Sequence, residues 1–215
     1  MKIEAIPDFV APLYSLIARK SLCIKDIHVA VAEEVFSKIS SGRVLDIGTG
    51  PGYVPFEIAK RASGLEITGI DLSPKMVEIA GKNAVDLGFS NRVKFQVANA
   101  GDLPFPDGYF DLVISTLSLH HWSNPPAYLK EICRVLKKNG EVYIYDLRKD
   151  TAREVNTQVK KKYGWFLSFL FLNIVRAHSS MTLKNAEEIL SSLGPGFSKK
   201  SVQGEGIILK FSLLK

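Results

Sequence analysis

The sequence predicts an α/β protein with a doubly wound, mostly parallel sheet, and two observations support this prediction. Apolar runs typical of strands alternate with helical periodicity between residues 43 and 147, which is the pattern of repeated strand–helix–strand units. A glycine-rich turn at residues 48–52 connects the first of these runs to a helix. The predicted strands lie at residues 44–47, 65–71, 93–97, 110–115, 141–147, 197–203 and 206–213.

The composition is that of one cytoplasmic α/β domain over residues 1–215. Hydrophobic residues make up 46% of the chain, and no low-complexity run predicts disorder. The net charge of +6 comes from scattered basic residues without an interleaved aromatic stripe, so a nucleic-acid partner is not expected. Cys23 and Cys133 have neither metal-binding nor redox spacing, which fits a reducing compartment. No metal site and no signal peptide are predicted.

Two helices are predicted within residues 1–42, before the first strand. Apolar residues recur at helical spacing between Phe9 and Ile17, after the helix breaker Pro7. Asp26 is expected to cap the second helix, which has one apolar face. On this pattern alone, the first helix packs on the edge of the domain.

The segment of residues 44–53 is the feature around which the rest of the chain is arranged. A short buried strand contains Asp46 near its end, and Gly48, Gly50 and Gly52 follow at alternate positions. Glycine allows close approach of the backbone to a ligand and adopts positive φ without steric cost. In open α/β sheets, ligands bind beyond the carboxyl ends of the strands. The turn is therefore predicted to be the binding site.

A second carboxylate, Asp71, ends the next strand, and Ser73 and Pro74 then begin a helix as its N-cap and first residue. An ionised carboxylate here accepts strong hydrogen bonds from both hydroxyls of a ribose. The alternative is an aspartate that caps the helix. We favour the ribose contact because of the glycine turn upstream, although Asp71 does not by itself distinguish between adenosine cofactors.

Two adjacent histidines, His120 and His121, follow the fourth strand. Imidazole titrates near neutrality, so either residue is a candidate general base. The alternative is a packing role, since adjacent side chains point in different directions. The residues alone leave both interpretations open.

The spacing Asp-x-Gly-x-Gly-x-Gly, from Asp46 to Gly52, resembles the first motif of class I S-adenosylmethionine-dependent methyltransferases. The resemblance covers roughly residues 43–146 and is closest to the small-molecule branch that includes the ubiquinone/menaquinone methyltransferases. It implies a Rossmann-like seven-stranded sheet with one antiparallel strand. It also implies S-adenosyl-L-methionine as the cofactor and methyl transfer to a small-molecule acceptor as the reaction.

The resemblance also implies roles for individual residues. The glycine turn would hold the methionine moiety with Asp46 near its ammonium group, Asp71 would hold the ribose, and Asn99 would hold the adenine in place of the family's usual Asp. His120 and His121 would lie on the acceptor side as candidate catalytic residues. The implied cofactor-binding residues are Asp46, Gly48, Thr49, Gly50, Gly52, Asp71, Leu72, Met76, Asn99, Ala100 and Ser115.

In the resembled family, segments outside the core often close over the site. By this analogy the first helix is a lid with Phe9 or Tyr14 in the pocket, an interpretation that stands beside edge packing. The chain then divides into N-terminal helices (1–42), a cofactor core (43–147), a lid or insertion (148–180), and a last helix with closing strands (181–215). The apolar stretch 165–175 is too short to span a bilayer.

Three interpretations of residues 165–175 are open: a buried helix, a wall of the acceptor pocket, and a dimer contact. Arg176 and His178 would then face a polar group of the acceptor. A homodimer is compatible with the last of these interpretations, and stable insertion into a membrane is not expected.

Two other functions share parts of this pattern. A nicotinamide oxidoreductase would use the same turn and Asp71, but the third glycine of its fingerprint would fall at Tyr53. A non-catalytic adenosylmethionine-binding or regulatory module would keep the whole cofactor site. The segment starting at Asn124 is similar to the Asn-Pro-Pro-Tyr motif of enzymes that methylate bases or glutamine, but Ala127 interrupts it, so a helix cap at Asn124 is the better interpretation.

Overall fold

The computed structural model describes residues 6–164 and 181–215 of the chain. Within these residues, seven strands form a single sheet at the centre of the protein. In chain order they are β1 Ser41–Ile47, β2 Gly64–Asp71, β3 Val93–Val97, β4 Phe110–Thr116, β5 Leu136–Leu147, β6 Lys199–Glu205 and β7 Ile208–Leu214. Across the sheet the order is β3-β2-β1-β4-β5-β7-β6.

Strand β7 runs antiparallel to both of its neighbours, β5 and β6, whereas the other neighbouring pairs are parallel. The predicted doubly wound sheet of seven strands with one antiparallel strand is therefore confirmed. Strand β5 begins earlier than predicted, at Leu136, directly after the preceding helix.

Seven helices flank the sheet within the described residues. They are α1 Ala11–Lys20, α2 Leu22–Lys38, α3 Tyr53–Arg61, α4 Pro74–Asp86, α5 Pro125–Val135, α6 Arg153–Tyr163 and α7 Leu183–Ser192, with a 3₁₀ turn at Leu119–His121. None of these helices is long and apolar enough to cross a membrane. The predicted N-caps of α4 and α5, Ser73 and Asn124, are confirmed by side-chain oxygens that accept a backbone N–H of the first turn.

The predicted cap at Asp26 is wrong. Helix α2 begins at Leu22, and its N-cap is Ser21, whose hydroxyl accepts the N–H of Ile24 at 3.4 Å. The Asp26 carboxylate instead accepts a hydrogen bond from Tyr163 Oη and forms an ion pair with Lys162, both at 2.7 Å. It thereby joins α2 to the end of α6.

Alternation along the central strands builds a hydrophobic core on each face of the sheet. In β1, Val44 belongs to the core beneath α2 and α3, whereas Leu45 belongs to the core beneath α5 and α7. Leu112 and Val113 divide in the same way in β4. Successive side chains of a strand point to opposite faces, so a strand covered on both sides is apolar throughout.

The strand order creates a crevice between the carboxyl ends of β1 and β4. After β1 the chain builds β2 and β3 on one side, and then returns to place β4 on the other side of β1. Loops leaving β1 and β4 therefore diverge, which is where open α/β sheets bind their ligands. The glycine turn and the two histidines both follow these strands.

Candidate active site

The glycine turn is held in one conformation by the end of β2. The backbone N–H groups of Gly48 and Thr49 both donate to the carbonyl of Ile70 at 2.9 Å. Gly48, Gly50 and Gly52 have φ values of +71°, +52° and +84°, which L-residues with a side chain rarely adopt. The three glycines are thus required by backbone conformation.

The space around the turn also leaves no room for a side chain at two of the three glycines. A Cβ on Gly48 would overlap the Ser118 hydroxyl, and one on Gly52 would lie 2.7 Å from the Phe95 ring. A Cβ on Gly50 would meet nothing closer than the ring of Tyr14, at 4.0 Å. Gly50 therefore lies on the open side of the turn, whereas Gly48 and Gly52 pack against the protein.

Gly48→Ala is expected to lower the stability of the protein by about 1–3 kcal/mol, because it combines a strained φ with a steric overlap. The measurement is the free energy of unfolding in denaturant. Gly81→Ala is the matched control, since Gly81 lies inside α4 and a Cβ added there would meet no atom within 4 Å. The control should be neutral or stabilising by about 0.5–1 kcal/mol. Equal effects at the two positions would contradict the argument.

Asp71 links the glycine turn to the start of α4. Its carboxylate accepts the N–H of Gly50 at 2.8 Å through Oδ2 and the N–H of Ser73 at 2.9 Å through Oδ1. Burial raises the pKa of this carboxyl, and the N–H groups of Ser73, Gly50 and Leu72 act against that rise. An ionised carboxylate offers about four acceptor sites, so two remain for a ligand after these bonds.

Asp46 lies deeper, under the turn, and is 2% exposed. Burial raises the pKa of Asp46 to about 7; the neighbouring Thr49 hydroxyl lowers it, and the charge of Asp71 adds to the rise. Within the described residues, Asp46 Oδ1 and Thr49 Oγ1 are buried without a partner at hydrogen-bond geometry. Buried polar atoms are rarely left unsatisfied, so these two are suited to a polar ligand on the turn.

His120 is oriented by a buried carboxylate, Asp146, near the end of β5. Its Nδ1 lies 2.9 and 3.0 Å from the two Asp146 oxygens, and its backbone N–H donates to Asp146 Oδ2 at 2.8 Å. The N–H of Leu147 also donates to this carboxylate, at 2.7 Å. An ionised carboxylate only accepts hydrogen bonds, so Nδ1 carries the proton and Nε2 is left as the basic nitrogen.

His121 lies beside this pair, with its ring centroid 4.1 Å from that of His120. Asp146 contacts His120 through three hydrogen bonds, which fix the orientation of the His120 ring. Asp146 was missed in the sequence. Its position in the sequence could have identified it. Asp146 lies near the carboxyl end of a predicted strand, as Asp46 and Asp71 do, and parallel strands bring these ends to the same edge of the sheet.

Helix α1 covers this edge of the sheet. Ser73 Oγ donates to Asp8 at 3.0 Å, and Tyr53 Oη donates to the carbonyl of Ser15 at 3.2 Å. Tyr14 faces inward, where burial and then the charges of Asp71 and Asp146 raise its pKa to about 12. Both carboxylates therefore lie close enough to Tyr14 to raise the pKa of its phenol. Phe9 points the other way and is 87% exposed.

Three of the predicted cofactor-binding residues are buried in the structure. Ser115 is fully buried and its hydroxyl donates to the carbonyl of Ile47 at 2.8 Å, so it joins β4 to β1. Met76 is fully buried beneath the start of α4, and the side chain of Ala100 packs in the core. In each case an apolar or small residue beside the site is turned inward by the local backbone direction.

Asn99 and Leu72 lie at the rim of the candidate active site. Asn99 is exposed, and its Oδ1 accepts the N–H of Gly101 at 2.8 Å, so its side-chain oxygen already has a partner within the protein. Leu72 is 36% exposed, next to Asp71. The predicted acceptor segment 165–175, with Arg176 and His178, lies outside the described residues.

A family model described as a methyltransferase domain matches residues 38–190. Among curated relatives, the ubiquinone/menaquinone biosynthesis C-methyltransferase of Geotalea daltonii is 35% identical over 147 residues, which is 67% of this chain and 63% of that protein. The aligned part of the chain thus spans less than two thirds of this relative's length.

Solved structures agree with the fold. A candidate S-adenosyl-L-methionine-dependent methyltransferase of Methanococcus maripaludis has a TM-score of 0.75 and 24% identity, covering 97% of this chain and 93% of that one. The [4+2]-cyclase SpnF has a TM-score of 0.61 and 30% identity, covering 71% of this chain and 64% of that one. With the glycine turn, the strand order and the family match together, the chain belongs to the methyltransferase domain family.

Proposed function

We propose that this chain is a cytoplasmic S-adenosyl-L-methionine-dependent methyltransferase acting on a small-molecule acceptor. The observation that carries the proposal is the turn itself, where Asp46 Oδ1 and Thr49 Oγ1 are buried without hydrogen-bond partners among the described residues, beside the carboxylate of Asp71. A ligand with an ammonium group, polar atoms and a ribose satisfies these groups together. The family match and the relatives' names support the same cofactor.

Each group of the turn then has a role. The backbone of Gly48, Thr49 and Gly50 would hold the methionine moiety, with Asp46 attracting its ammonium group. The remaining acceptor sites of Asp71 would take the ribose hydroxyls. The Asn99 amide nitrogen would donate to the adenine ring.

When bound, S-adenosyl-L-methionine supplies a methyl group already activated on a sulfonium, and its transfer leaves S-adenosylhomocysteine. The protein's part is to position the acceptor, exclude water and remove a proton. We assign that removal to His120 Nε2, because Asp146 would hold the proton on Nδ1 and stabilise the imidazolium that forms. Helix α1, through Tyr14, shields the site from solvent.

The relative from Geotalea daltonii is named for C-methylation in ubiquinone/menaquinone biosynthesis. A phenolic or naphtholic ring is therefore the first acceptor class to screen. Loss of the O–H proton to His120 would make a ring carbon nucleophilic toward the methyl group. After methylation, the ring C–H proton would leave to solvent and His120 would return its proton to the oxygen, which restores the aromatic ring. Atoms and charge balance in this sequence without a further reactant.

Calorimetric titration with S-adenosylhomocysteine, beside NAD, tests the cofactor assignment. We expect binding of the homocysteine compound in the micromolar range, about 8 kcal/mol, and none of NAD. Preference for NAD, or binding of neither, would overturn the proposal. Radiolabelled methyl transfer in the acceptor screen then separates an enzyme from a binding module, a step that matters because one 30%-identical neighbour is a cyclase.

The affinity for S-adenosylhomocysteine is expected to rise with pH between about 6 and 8. Because the pKa of Asp46 is about 7 in the free protein, its carboxyl is mostly protonated below that pH. Attraction of the ligand's ammonium group needs the carboxylate, so binding at low pH must first release the proton, and this cost disappears as the pH rises through 7. Asp46→Asn should flatten the profile. A wild-type affinity that is constant or falls over this range would contradict the role given to Asp46.

A further inference from the structure

The outer face of α1 is an exposed apolar surface. Leu13, Leu16 and Ile17 are 58%, 40% and 52% exposed, and they lie on one side of the helix because Leu13 is three residues from Leu16 and four from Ile17. Phe9, which is 87% exposed, lies in the turn just before the helix. Leu22, at the start of α2, is 60% exposed and extends this surface. We call these five residues the α1 surface.

Helix α1 is therefore apolar on two sides. Its inner side packs on the protein through Ala11 and Ala18, which are 0% and 3% exposed, whereas the α1 surface faces outward. Single exposed apolar residues are common, but a contiguous apolar group on one helix face marks an interaction site.

Between Phe9 and Lys25 the charged residues are all basic, and the exposed Asp8 and Asp26 lie directly outside this stretch. No Asp or Glu occurs between Phe9 and Lys25, and Arg19, Lys20 and Lys25 are all exposed. This is the composition of a helix that lies in a membrane interface, with apolar residues toward the acyl chains and cations toward the headgroups.

A second basic group lies next to these cations. Tyr163 and Lys162 of α6 both contact Asp26 in the second turn of α2 at 2.7 Å, which brings the end of α6 close to Lys25. Lys160 and Lys161 are exposed in the last turn of α6. Clusters of lysine and arginine near an apolar helix face are attracted by anionic lipids.

We propose that the α1 surface and the adjoining basic residues dock the protein on an anionic lipid bilayer. A second copy of the chain fits the surface less well, since pairing two such faces would bring Arg19, Lys20 and Lys25 of each copy together. An acidic protein surface would match the cations but not the apolar area that the five residues of the α1 surface would bury. Lipid headgroups over acyl chains match both parts of the surface.

Docking would also place the candidate active site at the membrane. Tyr14, on the inner side of the same helix, lies close enough to Asp71 and Asp146 for their charges to raise its pKa. An apolar acceptor dissolved in the bilayer would then need to pass only α1 to reach the site. This consequence rests on the proposed function, whereas the docking itself does not.

Flotation of the full chain with phosphatidylcholine vesicles, with and without 30% phosphatidylglycerol (about one anionic lipid in three, a common test composition), tests the proposal. We expect binding to the anionic vesicles, and at least a tenfold loss of partitioning in the double variant Leu13→Gln/Ile17→Gln. Lys20→Glu should lower partitioning severalfold, and raised salt should do the same. Val85→Gln/Leu87→Gln is the matched control, since these residues are 67% and 51% exposed at the end of α4, and it should bind as the wild type does.

Four results would overturn the proposal. The first is absence of anionic-vesicle binding, and the second is an equal loss of binding in the α4 control. The third is a dimer by analytical ultracentrifugation that Leu13→Gln/Ile17→Gln converts to a monomer, which would assign the surface to a second copy. The fourth is a fall in Tm of more than about 4 °C in this variant, which would mean that the chain itself covers the surface. Titration of each variant with S-adenosylhomocysteine reports separately on the cofactor site.

Discussion

His120→Ala is expected to lower kcat for methyl transfer by about 10²–10⁴-fold while the affinity for S-adenosylhomocysteine stays as in the wild type. The reason is geometric. Asp146 holds Nδ1 of His120 as the donor, which leaves Nε2 as the basic nitrogen that takes a proton from an acceptor. The measurement is the initial rate with the acceptor found in the screen, together with calorimetry on the same variant.

His121→Ala is the matched control for this prediction, because the two rings are adjacent and the contacts described to Asp146 are those of His120. We expect its kcat to fall less than tenfold. A fall equal to that of His120→Ala would transfer the base role to His121 or to the pair. An unchanged kcat in His120→Ala would show that the acceptor needs no base here.

Asp146→Asn tests the positioning role separately. An amide in place of the carboxylate turns at least one donor toward the N–H groups of His120 and Leu147, and it no longer fixes the tautomer of the imidazole. We expect a lower kcat and a pH–rate profile whose acidic limb, where a general base becomes protonated, is displaced from that of the wild type. A purely structural role would lower Tm without displacing the profile.

Asp71→Ala is expected to weaken S-adenosylhomocysteine binding by about 10²–10⁴-fold. Two charge-assisted hydrogen bonds to a ribose contribute about 1.5–3 kcal/mol each, and the substitution also releases the N–H of Gly50 and that of Ser73. Part of the lost affinity therefore comes from the missing contacts with the ligand, and part comes from reorganisation of the turn. Calorimetry measures their sum.

The 2′-deoxy analogue of S-adenosylhomocysteine separates these two parts. The wild type should bind the parent compound about tenfold or more tightly than the deoxy compound, because the deoxy compound lacks the 2′-hydroxyl that donates to Asp71. Asp71→Ala should bind the two with similar affinity, since the effects of removing a residue and the group that it contacts are not additive. Equal discrimination by wild type and variant would mean that Asp71 only shapes the turn.

The fold was predicted from local patterns, and the structure bears it out because these patterns are strong. Apolar runs of four to eight residues, alternating with amphipathic helices, permit few arrangements other than a parallel sheet covered on both faces. The helix starts at Ser73 and Asn124 were recognised for the same reason, since a cap is a contact between residues three apart. The cap at Ser21 was missed because Asp26, an equally favoured capping residue, lies only five residues further on.

Side-chain direction was harder to predict than position. Ser115 and Met76 occupy the segments expected for cofactor binding, yet both are fully buried, because alternation in a strand and the inner face of a helix turn them toward the core. Asn99 lies at the rim as expected, but its oxygen is already used by Gly101. The division of the chain into four parts and the homodimer stay predictions.

The sequence by itself determined the alternation of strands and helices, the glycine turn and the two acidic residues Asp46 and Asp71, because each depends on residues close together in the chain. Only the tertiary structure decided which histidine Asp146 orients and which side of α1 faces the site. Asp146 is 26 residues from His120 and comes next to it only because β4 and β5 are parallel neighbours. Likewise Tyr14 meets the charges of Asp71 and Asp146 only after α1 packs across the sheet edge. Contacts between distant segments follow from strand order and packing, which no local pattern specifies.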